Sequence, residues 1–140
     1  ILHAQIIVNK IDYFIIELTR RCSGDLYPLP VKFVNNVPWS DIIIKNCMGK
    51  KINVLGSQKF DKFCARHCLT ANKNGLAKKI FIDPTIKKNI ISKIIILKNN
   101  EIINDFENKK YGVFVLKFKS FLEMKNKVNK INQLIYIETN

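Results

Sequence analysis

Histidine, acidic side chains and long apolar runs are scarce in this sequence. Apolar stretches such as Ile94-Ile95-Ile96-Leu97 are short and bounded by lysines. They fall far below the roughly 20 residues of a bilayer-spanning helix, so no membrane span is expected. The four cysteines include no Cys-x-x-Cys pair at zinc-finger spacing, which suits a secreted disulfide protein better than a structural zinc site. A centre built from Cys47, Cys64, His67 and Cys68 would need adjacent His67 and Cys68 to bend sharply onto one ion, so neither metal nor other cofactor is expected. There are two histidines, and His3 is too near the chain end to carry a role. A basic, apolar, small-residue leader is lacking. With Ile1 in first place, the sequence reads as a mature form located outside the cell.

Acidic residues number 11 against 24 Lys plus Arg, a formal charge of +13. That balance favours polyanions such as nucleic acid or sulfated glycans. Of the 24 basic residues 21 are lysines, and the joint excess of lysine, asparagine and isoleucine is also what AT-rich coding produces. The candidate polyanion contacts are Lys50, Lys51, Lys78, Lys79, Lys109, Lys110, Lys117 and Lys119, the last two alternating onto one face of a strand. Aromatic residues among them are few, which weighs against base stacking.

The 140 residues and 47% hydrophobic content support one core. Residues 5–18 suit either a hairpin around Asn9-Lys10 or, from Tyr13 to Cys22, a short amphipathic helix. Gly24, Pro28, Pro30 and Pro38 predict an irregular connector, so residues 1–38 read as a prefix and 39–140 as the main domain. Six short runs then predict strands: Ile42 to Ile44, Ile52 to Leu55, Lys79 to Ile82, Ile91 to Leu97, Ile102 to Phe106, and Val113 to Phe118. Lys98-Asn99-Asn100-Glu101 predicts a hairpin connection. Phe121 to Val128 predicts a helix or turn, and Leu134 to Glu138 a final strand. The spacing suggests a small all-β barrel or sandwich.

Ala65-Arg66-His67-Cys68 is similar to the Ala-Ala-His-Cys that carries the catalytic base of trypsin-like serine peptidases. Pro38-Trp39 and Cys47-Met48-Gly49 resemble motifs that open that family's first barrel. Val113 to Leu122, followed by Lys127-Val128-Asn129-Lys130-Ile131, resembles its aspartate strand and the segment behind it. The resemblance spans residues 38–132 and implies a six-stranded barrel like the family's N-terminal one, with an irregular or partly helical prefix. It further implies a Cys47 to Cys68 disulfide, leaving Cys22 and Cys64 paired with each other or free.

Gly112 stands where the family has its aspartate, and no Gly-Asp-Ser-Gly-Gly occurs. Acyl transfer needs a nucleophile, an oriented base and an oxyanion hole, and His67 alone is a vestige of these. The resemblance thus implies an inactive peptidase homologue, secreted and acting through a protein partner or self-association. The alternative from the residues alone is a basic β-barrel that binds nucleic acid or a sulfated glycan. The prefix residues Ile6, Ile7, Phe14, Ile15 and Leu18 are expected to cover an open face of the barrel, unless a second chain does.

Overall fold

The computed structural model describes residues 2–52 and 62–140. The chain forms two compact units, Ile1–Lys59 and Phe60–Asn140. Most of the expected strand Ile52 to Leu55 lies outside the described residues.

The first unit opens with an antiparallel hairpin of β1 (His3–Val8) and β2 (Tyr13–Thr19). The Asn9 carboxamide oxygen closes its turn by accepting from the Ile11 and Asp12 N–H groups at 2.9 and 2.8 Å. Gln5 faces Glu17 while Ile6 faces Ile15, so Ile16 is the extra residue of a bulge. Two helices follow, α1 (Pro28–Asn35) and α2 (Trp39–Cys47). The expected irregular connector thus contains a helix. Pro28 and Pro30 lie in its first turn, where N–H groups have no intrahelical acceptor and proline costs little. Asn36 ends α1 with φ 57°, its N–H returning to the Lys32 carbonyl. The expected strand at Ile42 to Ile44 lies inside α2. Asp41 in the first turn and Lys45 in the last suit the helix dipole, and Ile42 is buried, so helix signals outweigh three β-branched residues.

The second unit consists of β3 (Phe63–Leu69), β4 (Gly75–Ile82), α3 (Pro84–Lys87), β5 (Ile90–Ile95), β6 (Ile102–Ile103), β7 (Gly112–Phe118), α4 (Phe121–Val128), α5 (Ile131–Leu134) and β8 (Ile135–Thr139). Its strands form two antiparallel sheets of order β3-β7-β5 and β6-β4-β8. An isolated parallel bridge joins Ala71, outside the named strands, to Ile137 of β8. Phe114, Leu116 and Phe118 of β7 share one apolar cluster with Leu69 of β3, Ala77 of β4, Ile86 of α3, and Ile135 and Ile137 of β8. Full burial of each large side chain contributes roughly 1.5–3 kcal/mol.

The architecture overturns the all-β barrel. It is mixed α/β, with open antiparallel sheets and five helices and no closed barrel among the described residues. β5 and β6 flank the predicted hairpin connection, yet they belong to different sheets, and β6 has only two residues. Helix initiators interrupt the strands: Asp83 accepts from the Thr85 N–H ahead of α3, and Ser120 from the Glu123 N–H ahead of α4.

Candidate functional site

β4 carries two adjacent lysines that a regular strand would point to opposite faces. Ala77 faces Thr139 and Lys79 faces Glu138, so Lys78 is an extra residue in a bulge against β8. Lys78 and Lys79 consequently line one cavity of about 290 Å³, together with Ala77, Ile80, Ile95 and Leu97 and with Lys98, Asn99 and Asn100 of the β5–β6 turn. Three lysines and two asparagines thus border the space together with the apolar Ile80, Ile95 and Leu97, and no Asp or Glu among the described residues lines it. Lys79 also pairs with Glu138 at 3.5 Å.

The turn that supplies Lys98 is held from outside the cavity. Glu101 accepts from the Lys98 backbone N–H at 3.0 Å and from the Lys109 ammonium at 2.7 Å. The hydrogen bond from Lys109, followed by that from Lys98, holds the Glu101 carboxyl below the usual range. Asn100 takes φ 57°, a left-handed conformation that asparagine tolerates better than most residues.

Of the lysines chosen from the sequence, Lys78 and Lys79 reach this cavity. Lys50 and Lys51 follow α2 in the first unit, and Lys109 is bound to Glu101. Lys117 lies on β7, and the Lys119 N–H donates to the Glu123 carboxylate. Sequence reasoning passed over Lys98, Asn99 and Asn100, although that polar run was read as a turn. A second cavity, of about 170 Å³, lies in the first unit against Leu2, Pro28, Val31 and Trp39. Arg21 borders it but donates to the Cys22 carbonyl at 3.0 Å, and the wall is chiefly apolar.

His67 sits in the middle of β3 opposite Phe114. Burial lowers its pKa, opposed by a hydrogen bond with the Ile135 backbone, and its Nε2 is buried without a partner among the described residues. Cys22, Cys47, Cys64 and Cys68 are all free thiols, so the expected Cys47 to Cys68 disulfide is absent. Burial pushes the Cys64 thiol up to about 11, which suppresses the reactive thiolate. Gly112 on β7 faces Leu69 on one side and Ile95 on the other. Among the described residues no group of three His, Cys, Asp or Glu could hold a metal ion. No helix among them is long and apolar enough to cross a membrane.

No protein-family model and no curated protein sequence matches the chain. Solved structures do. The chain is similar to phosphoribosylglycinamide synthetase from Anaerococcus prevotii, with 19% identity and a TM-score of 0.77 over 99% of this chain and 37% of that one. It is likewise similar to L-amino acid ligase from Bacillus licheniformis, with 13% identity and a TM-score of 0.80 over 99% of this chain and 36% of that one. At such identities the likeness is one of fold, and the chain spans little more than a third of either neighbour's length. Both neighbours are ATP-grasp enzymes. The peptidase expectation, including an inactive homologue, is therefore overturned along with its barrel and its disulfide.

Proposed function

We propose that the cavity beside the β4 bulge receives the phosphate groups of a nucleotide, as part of an ATP-dependent ligase. The observation that carries this reading is that Lys78, Lys79 and Lys98 border one space whose lining holds no Asp or Glu among the described residues. The likeness in fold to a third of two ATP-grasp enzymes supplies the nucleotide. Each ammonium acts as a compact positive charge against phosphate oxygens, and Asn99 and Asn100 add neutral donors. Ile80, Ile95 and Leu97 offer an apolar wall that lowers the local dielectric and strengthens those contacts. These residues bind and orient. Ligation as a whole, with its acceptor substrate, requires groups beyond those in the cavity.

Titration calorimetry with ATP tests this. Charge-assisted hydrogen bonds are worth about 1.5–3 kcal/mol each, so Lys78→Ala and Lys98→Ala should each weaken binding by about tenfold or more. Lys98→Ala retains the backbone N–H that anchors Glu101, so the turn stays in place. Lys50→Ala, in the other unit, should change nothing. Equal affinity in all three variants, or no binding by the native chain, would overturn the proposal.

A further inference from the structure

The lysines of the cavity come from strands of different sheets. Lys78 and Lys79 lie on β4, in the sheet β6-β4-β8, whereas Lys98 follows β5, in the sheet β3-β7-β5. Glu101 bonds to both sides. Its Oε2 accepts from the Lys98 N–H at 3.0 Å, and its backbone carbonyl accepts from the N–H of Ala77, the residue ahead of the bulge at Lys78, at 2.9 Å. The second bond extends the short pairing of β6 with β4, in which Ile103 faces Gly75 and Ile102 faces Leu76. The Glu101 Oε1 accepts from the Lys109 ammonium at 2.7 Å, so both carboxylate oxygens are engaged and 17% of the side chain is exposed. Lys109 stands 5.2 Å from the ring centroid of the fully buried Tyr111. The Tyr111 carbonyl in turn accepts from the Ile96 and Leu97 N–H groups at 3.0 and 3.1 Å, just ahead of Lys98.

We infer that Glu101 is the positioning residue of this cavity: its carboxylate fixes the turn that presents Lys98, and its carbonyl fixes that turn against the strand bearing Lys78 and Lys79. The inference rests on the reading of the cavity as a phosphate site. Charge alone would give Glu101 the opposite effect, because a carboxylate beside such a site repels the ligand. The ion pair with Lys109 offsets that repulsion, while the bond to the Lys98 N–H orders the turn before a ligand arrives. Ordering in advance removes part of the entropic cost of binding.

Titration calorimetry with ATP on Glu101 variants separates position from charge. Glu101→Ala should weaken binding about fivefold, as the loss of one backbone hydrogen bond would, whereas removal of a negative charge alone would strengthen it. Glu101→Gln keeps an oxygen that can accept from the Lys98 N–H, so it should restore native affinity. Should Glu101→Ala lose the native far-ultraviolet spectrum, Glu101→Asp takes its place; it keeps the charge, withdraws the carboxylate by one methylene and should weaken binding likewise. In a Lys98→Ala background, Glu101→Ala should cost nothing further, since the side chain acts through Lys98. Weaker binding in Lys98→Ala with unchanged or tighter binding in Glu101→Ala would overturn the positioning role and leave the phosphate site standing. A full further loss in the double variant would also overturn it, because Glu101 would then act otherwise than through Lys98. No binding by the native chain would overturn the site and the role with it.

Discussion

Gly112→Asp installs the carboxylate that a peptidase triad would call for, and the packing of β7 makes it a destabilising change. A Cβ at this position would lie 2.8 Å from the Ile94 carbonyl oxygen and 3.1 Å from Ile95 Cδ1. An ordinary carbon–oxygen contact is about 3.3 Å or longer. The blocking atom belongs to the backbone of β5, which is hydrogen-bonded to β7 and cannot swing aside as a side-chain tip would. Gly112→Ala should therefore cost about 1–3 kcal/mol through forced strand separation. The aspartate adds a buried polar group without a partner, a further penalty of about 1–3 kcal/mol. Together they remove about 2–6 kcal/mol from a stability of order 5–15 kcal/mol. Urea unfolding followed by far-ultraviolet circular dichroism, with a slope of about 1–3 kcal/mol/M, should show the midpoint falling by roughly 2 M for the aspartate and less for the alanine. An unchanged midpoint for Gly112→Asp would refute the close approach of β5 and β7.

Acid should weaken the anchoring of α4. Glu123 accepts from the Lys119 N–H at 2.9 Å, the Lys127 ammonium at 2.9 Å and the Asn89 carboxamide at 3.2 Å, and its pKa drops from 4.5 to about 2. A folded pKa below the unfolded one gives stability that is fully present above about 4.5 and lost as pH falls toward about 2. The gap in Tm between the native chain and Glu123→Gln should close across that window; a gap independent of pH would contradict the network. Tyr111 is fully buried and its hydroxyl has no partner among the described residues, so Tyr111→Phe should be neutral or stabilise by about 1 kcal/mol. A loss above 1 kcal/mol in chemical denaturation would mean that the hydroxyl is bonded after all.

The sequence made local structure readable where signals were short-range. The alternative of a hairpin around Asn9-Lys10 and the runs at 79–82, 91–97, 113–118 and 134–138 correspond to strands, since β-branched clusters bounded by turn residues carry that information locally. Which strands share a sheet depends on contacts distant in sequence, so six short runs fit a barrel as readily as two open sheets. The Phe63–Leu69 segment shows how letters mislead: Cys64, His67 and Cys68 are half-buried residues of a strand whose cysteines are free. Similarly, Gly112 is a glycine because β5 lies against it, which a lost aspartate cannot explain. The lysine cavity was half legible. Lys78 and Lys79 stood out as a pair, but the bulge that turns both to one space arises from pairing with β8, some 60 residues away. Lys98 joins them through the path of the turn after β5.

Amide chemical-shift mapping during titration with ATP tests the central claim most directly, because it reports both binding and its place. The account predicts saturable shifts concentrated at Ala77 to Ile80 and Ile95 to Asn100, diminished in Lys98→Ala, with residues 2–47 of the other unit unmoved. Shifts confined to the first unit, or scattered over lysines throughout the chain with no saturation, would contradict it.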